Sequence, residues 1–244
     1  MRMHSLPLVA ALAMTGPAFG ITVNMTDFQF RPPIDVNVTS TDESLSFSGS
    51  AGLFFGEAEG ALLANALRAR VAVASSTSFT AYCIELTQGF DFGVRYDYST
   101  VAGATYLDAR RADALSRLLT AGRSFVTDSA TSAAMQSGIW EIVYETGPSF
   151  ALTTGSLKVA PADAANQAAF GAVDTFLSQL SSYAADVPIN VLTNPNTQDF
   201  LVVSSIPEPG TWALLAAGLG VLGLMARRRQ AAACLDGPRS TASS

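Results

Sequence analysis

The chain has 244 residues, 20 of them acidic against 14 Lys and Arg and a single His, for a net charge of −6. That length allows one sizeable domain with its own core. The one lysine, Lys158, and the absence of clustered basic residues argue against nucleic acid or an anionic membrane surface as partners.

The chain opens with a basic start at Arg2 and His4, the apolar run "LPLVAALAMTG" and the small-x-small pattern Ala18-Phe19-Gly20. Residues 1–20 read as a secretory signal peptide cut before Ile21. A buried helix there is disfavoured, because Pro7, Gly16 and Pro17 would break it. His4 leaves with the signal, so neither a Ser-His-Asp nor a Cys-His arrangement is available within the exported chain. From residue 21 to 209 nine basic residues face nineteen acidic ones, a net charge of −10.

Residues 21–204 are expected to form one exported α+β domain. Up to about Val101 the signals are short β-rich runs separated by Gly, Ser, Thr and Pro: "ITVNMTDFQF", "SLSFSG", "RVAVASSTSFTAYCIEL" and "VRYDYSTV". They predict a sandwich or barrel body. A three-helix part follows. Leu107, Leu115, Leu118 and Leu119 mark a first helix ending at Gly122, read as its C′ glycine. "SAAMQSGIWEIVYE", capped by Asp128 or Ser129, is a second, and "ADAANQAAFGAVDTFLSQLSSYA" a third. "INVLTNPNTQDFLVVSS" returns to strand.

Beyond it stands "IPEPGTWALLAAGLGVLGLMARRR". Residues 211–226 are uncharged and would span about 24 Å as a helix, a marginal membrane crossing, with Arg227, Arg228 and Arg229 held on the cytoplasmic side. Pro207-Glu208-Pro209, the apolar helix and the arginine cluster together resemble the PEP-CTERM sorting signal at residues 205–230. In that family the tripeptide is recognised by the membrane peptidase exosortase, in Gram-negative bacteria that make exopolysaccharide and often biofilm. The resemblance implies an exported protein, anchored in the inner membrane before processing and then delivered to the cell envelope or extracellular matrix. Residues 231–244 read as an unstructured tail.

Several strings carry little. "DFG" at 91–93 lacks any kinase context, and Asp91, Asp97, Asp108 and Asp113 lack calcium-loop spacing. No metal ligand set and no cofactor is predicted. Two residues are harder to dismiss. Cys83, in "AYCIEL", is separated from Cys234 by the membrane segment, so it is an unpaired thiol in a secreted domain. On a helical projection Gln136 shares the apolar face of the second helix with Trp140, Val143 and Ile139, while Ser137, Gly138, Glu141 and Glu145 fall opposite. A buried amide there needs hydrogen-bond partners.

Cysteine and glutamine side chains can join with loss of ammonia into a thioester, a stored electrophile toward an amine or hydroxyl. At Tyr82-Cys83 and at Gln136, Ile139 and Trp140 the chain resembles the bacterial thioester-domain (TQXA) family of surface adhesins, with Met135 and Gly138 standing where Thr and Ala are usual. The resemblance implies a Cys83–Gln136 thioester shielded by Tyr82 and Trp140, serving covalent attachment to an extracellular amine- or hydroxyl-bearing surface or polysaccharide. No enzyme activity is expected. The competing reading is a non-catalytic matrix or carbohydrate-binding β-sandwich protein whose Cys83 is an inert core thiol.

Overall fold

A computed structural model describes residues 20–59 and 77–203. The chain divides into two units, Met1–Ser204 and Ser205–Ser244, and the described residues belong to the first. The signal peptide (residues 1–20, of which only Gly20 is described), the sorting helix at 211–226 and the tail at 231–244 lie outside the described residues. Among those described, no helix is long and apolar enough to cross a membrane.

Period-2 alternation builds the β part. In β1 (Ile21–Phe28) Ile21, Val23 and Met25 are buried, while Thr22, Asn24 and Thr26 are not. β4 (Phe54–Glu59) alternates likewise, burying Phe54, Gly56 and Ala58. With β5 (Thr77–Cys83), β6 (Arg95–Ala102), β8 (Asn190–Thr193) and β9 (Phe200–Val202) these strands close a six-stranded antiparallel barrel in the order β1-β4-β5-β9-β8-β6. Closure leaves no open edge. β2 (Ile34–Ser40), β3 (Ser46–Ala51) and β7 (Leu157–Pro161) form a separate sheet in the order β3-β2-β7. Of the sandwich and barrel predicted from sequence, the structure is a barrel with an added sheet.

The helices are α1 (Gly103–Tyr106), α2 (Ala109–Gly122), α3 (Ser129–Tyr144) and α4 (Gln167–Ser178). The predicted first helix is thus two pieces, with Leu107 between them. Asp108 caps α2 by accepting from Arg111 N at 2.8 Å, and Asp128 caps α3 in a capping box with Thr131. Gly122 is the last residue of α2 rather than its C′ residue, and Arg123 after it remains in the right-handed helical region. The glycine is there for space: a Cβ would collide with the Met135 side chain of α3.

The predicted polar face of α3 is the main correction. Ser137 and Glu141 are fully buried, Glu145 just past its end is 1 % exposed, and Gly138 is buried too. The helix runs between α2 and α4 and lies on the β3-β2-β7 sheet, so it has no solvent face to spend polar residues on. Most of their polar atoms are satisfied locally instead, the exception being Glu141 Oε2, which is buried without a partner. Ser137 donates to Ala133 O at 2.9 Å, Glu141 accepts from Ala151 N at 2.8 Å, and Glu145 accepts from Ser156 N and Oγ and from Leu157 N. Gly155, at φ 101°, lets the chain come against the Glu145 carboxylate where a Cβ would clash. Strand β7, inserted between α3 and α4, was not predicted.

Candidate functional site

Cys83 is the last residue of β5, opposite Phe200 of β9 in the antiparallel register. On its other side β4 starts only at Phe54, whose partner is Ala81. The ladder therefore runs out where Cys83 would need a neighbour. Gln136 of α3 fills the gap: its Oε1 accepts from Cys83 N at 2.9 Å and its Nε2 donates to Cys83 O at 2.7 Å. The side-chain amide acts as one residue of a missing strand, satisfying both main-chain groups. Gln136 is fully buried and Cys83 is 8 % exposed. Two residues 53 positions apart, both singled out in the sequence, are in contact.

Alternation along β5 fixes the surroundings. Phe79, Ala81 and Cys83 share one face and Phe200, directly opposite, shares it with them. Phe200 meets Phe54 at 5.9 Å, Phe90 at 5.1 Å and Tyr98 at 5.9 Å between ring centroids. The cover on this face is thus aromatic, and it comes from three strands and the loop before β6, none of which the sequence connected to Cys83. Tyr82 points the other way, toward α3. It is 1 % exposed and its hydroxyl faces Ser132, which itself accepts from Leu53 N at 2.6 Å. Trp140 is 2 % exposed, but its ring stands edge-on to Phe47 of β3 at 5.5 Å, in the smaller sheet.

Burial pushes the Cys83 thiol well above its ordinary range, and the nearby Glu85 carboxylate adds to the effect. Cys83 is a free, buried thiol here. It is therefore protonated, and its sulfur reacts only if a base removes the proton. Tyr144, on the last turn of α3, accepts from Leu86 N at 2.8 Å and so ties the segment after Cys83 to the helix that carries Gln136. Tyr106 donates to Asp199 Oδ2 at 2.8 Å, and Tyr98 donates to Gln198 O at 3.0 Å. None of these contacts has a short-range sequence signal, because each pairs residues 58 to 100 positions apart. Among the described residues no group of three or more His, Cys, Asp or Glu could hold a metal ion.

No curated protein and no solved structure matches the chain. The family profile described as the PEP-CTERM protein-sorting motif matches residues 205–229, a span that includes Pro207, Glu208, Pro209 and the three arginines at 227–229. The chain therefore carries the sorting motif of an exosortase substrate exported to the cell envelope.

Proposed function

We propose that this exported protein attaches covalently to an amine- or hydroxyl-bearing surface or matrix component through a thioester between Cys83 and Gln136. The observation that carries the reading is the paired hydrogen bond between the Gln136 amide and the Cys83 main chain, made without solvent access. It holds the electrophilic carbon of Gln136 beside the residue that bears the sulfur. It also directs the Cys83 N–H at Oε1, the oxygen on which negative charge develops when the amide carbonyl is attacked. Aromatic cover from Phe200 and Tyr98 would keep water from the acyl group, as a stored electrophile requires.

A second reading has its own support. The same two hydrogen bonds give Gln136 a complete structural role as a strand substitute, and burial alone keeps Cys83 inert. Intact mass separates the two. The thioester form is lighter than the sequence by one ammonia, resists a thiol reagent, and takes up methylamine at Gln136 with release of the Cys83 thiol. Protein of full sequence mass that takes up no methylamine would return Cys83 to the core.

A further inference from the structure

We propose that Glu85 is the general base of the Cys83–Gln136 site, taking the proton of the group that attacks there. This rests on the thioester reading. β5 ends at Cys83, yet Ile84 N donates to Asp199 O at 3.1 Å, so the main-chain pairing on the β9 side continues one residue further, and the Gln198 side chain holds the next residue by donating from Nε2 to Glu85 O at 2.9 Å. On an extended course Tyr82 and Ile84, 1 % and 0 % exposed, share the face toward α3. Cys83 and Glu85 share the other. Their Cα atoms are then about 7 Å apart, within reach of a glutamate side chain leaning along the strand.

Glu85 is half-buried at the rim, and its Oε1 accepts from Thr87 Oγ1 at 2.9 Å. No ion pair among the described residues involves it. The groups that share its surroundings are Cys83, Asp199 from the turn before β9, Tyr106 from α1 and Tyr144 from α3. Burial raises its carboxyl, the Thr87 hydroxyl opposes this, and the charge of Asp199 raises it further. A carboxylate of raised basicity thus lies on the same strand face as a thiol that burial keeps protonated.

When the thioester forms, Glu85 takes the Cys83 proton, Sγ bonds to Gln136 Cδ, and the amide nitrogen leaves as ammonia carrying that proton. When it opens, an amine nitrogen bonds to Cδ and the C–S bond breaks. The proton the amine sheds passes through Glu85 to the Cys83 sulfur, leaving a secondary amide and a thiol.

The test is methylamine uptake by the full chain, followed by intact mass and thiol release over a range of pH, for wild type, Glu85→Gln and Glu85→Asp. Glu85→Gln keeps an acceptor for Thr87 but should slow uptake by about tenfold or more and, once rates are corrected for the fraction of free amine, lose the inflection that the carboxylate adds on the acidic side. Glu85→Asp should recover part of the rate. A folded Glu85→Gln protein that never loses ammonia, where Glu85→Asp does, supports the same role. Wild type that reacts while Glu85→Gln matches its rate and pH profile overturns the assignment of Glu85 alone. Wild type that shows no ammonia loss and no uptake overturns the thioester and Glu85 with it. Loss of fold in both variants overturns it also, because the carboxylate would then be structural.

Discussion

Gln136 takes the place of a strand at the end of β5, so its removal should be felt as two stranded main-chain groups rather than one lost side chain. Each buried unpaired donor or acceptor costs about 1–3 kcal/mol. Gln136→Ala should therefore destabilise the protein by roughly 2–5 kcal/mol in denaturant titration, a loss that an ordinary surface glutamine would not produce. Glu141 gives a second prediction, one about pH. Its Oε1 accepts from Ala151 N but its buried Oε2 has no partner, and burial pushes its carboxyl up to about 8 from 4.5. Between those values the folded protein holds a proton that the unfolded chain has released. Stability from this group is therefore full below pH about 4.5 and is lost as pH rises toward 8, by at most about 1.4 kcal/mol per pH unit. Glu141→Gln should flatten that slope and exceed wild type in stability above pH 8. An unchanged pH dependence of the melting temperature would show that Glu141 ionises normally.

At the scale of elements, α3 organises the protein, and its packing explains residues that read as exposed. A Cβ on Gly138 would lie 2.7 Å from Val173 Cγ1 of α4 and 3.1 Å from Leu118 Cδ2 of α2, and both neighbours are fully buried. Alanine gains about 1 kcal/mol of helix propensity over glycine, while overpacking of a tight core costs about 1–3 kcal/mol. Gly138→Ala should on balance destabilise, by about 1 kcal/mol, and a rise in stability would mean that α4 yields easily. Asp128→Ala, which opens the capping box, should cost about 1 kcal/mol as well. At the other end Arg111 donates to Ile142 O and Glu145 O, closing the last carbonyls of α3 from α2. A cap at Asp128 or Ser129 was legible in the sequence, because capping acts over three residues, and the structure selects Asp128. The Arg111 clasp spans more than thirty positions and was not.

For the whole molecule, the exported domain and the sorting tail are separate units. β1 begins at Ile21, which is 2 % exposed, so a cut before it spares every residue of the barrel. The chain made with exosortase present should begin at or near Ile21 and lose its tail, as N-terminal sequencing and intact mass would report. Residues 21–204 made alone should unfold in one cooperative transition, since every strand pair described lies within them. A broad, non-cooperative transition would show that the tail contributes to the fold.

What the sequence determined by itself is what depends on neighbours along the chain. The outline of strands, then helices, then strands, a cap at Asp128 or Ser129, the buried position of Gln136 and the sorting motif all follow from periodicity or short motifs. Barrel closure, strand β7, the all-round burial of α3 and the aromatic cover over Cys83 were decided only by tertiary structure. Each depends on which distant segment arrives to complete a ladder or cover a face. Cys83 and Gln136 stand between the two cases. Their chemistry could be named from two short stretches, but the hydrogen bonds that join them exist because β4 begins two residues too late to pair with Cys83 and a helix fifty residues away supplies the missing partner.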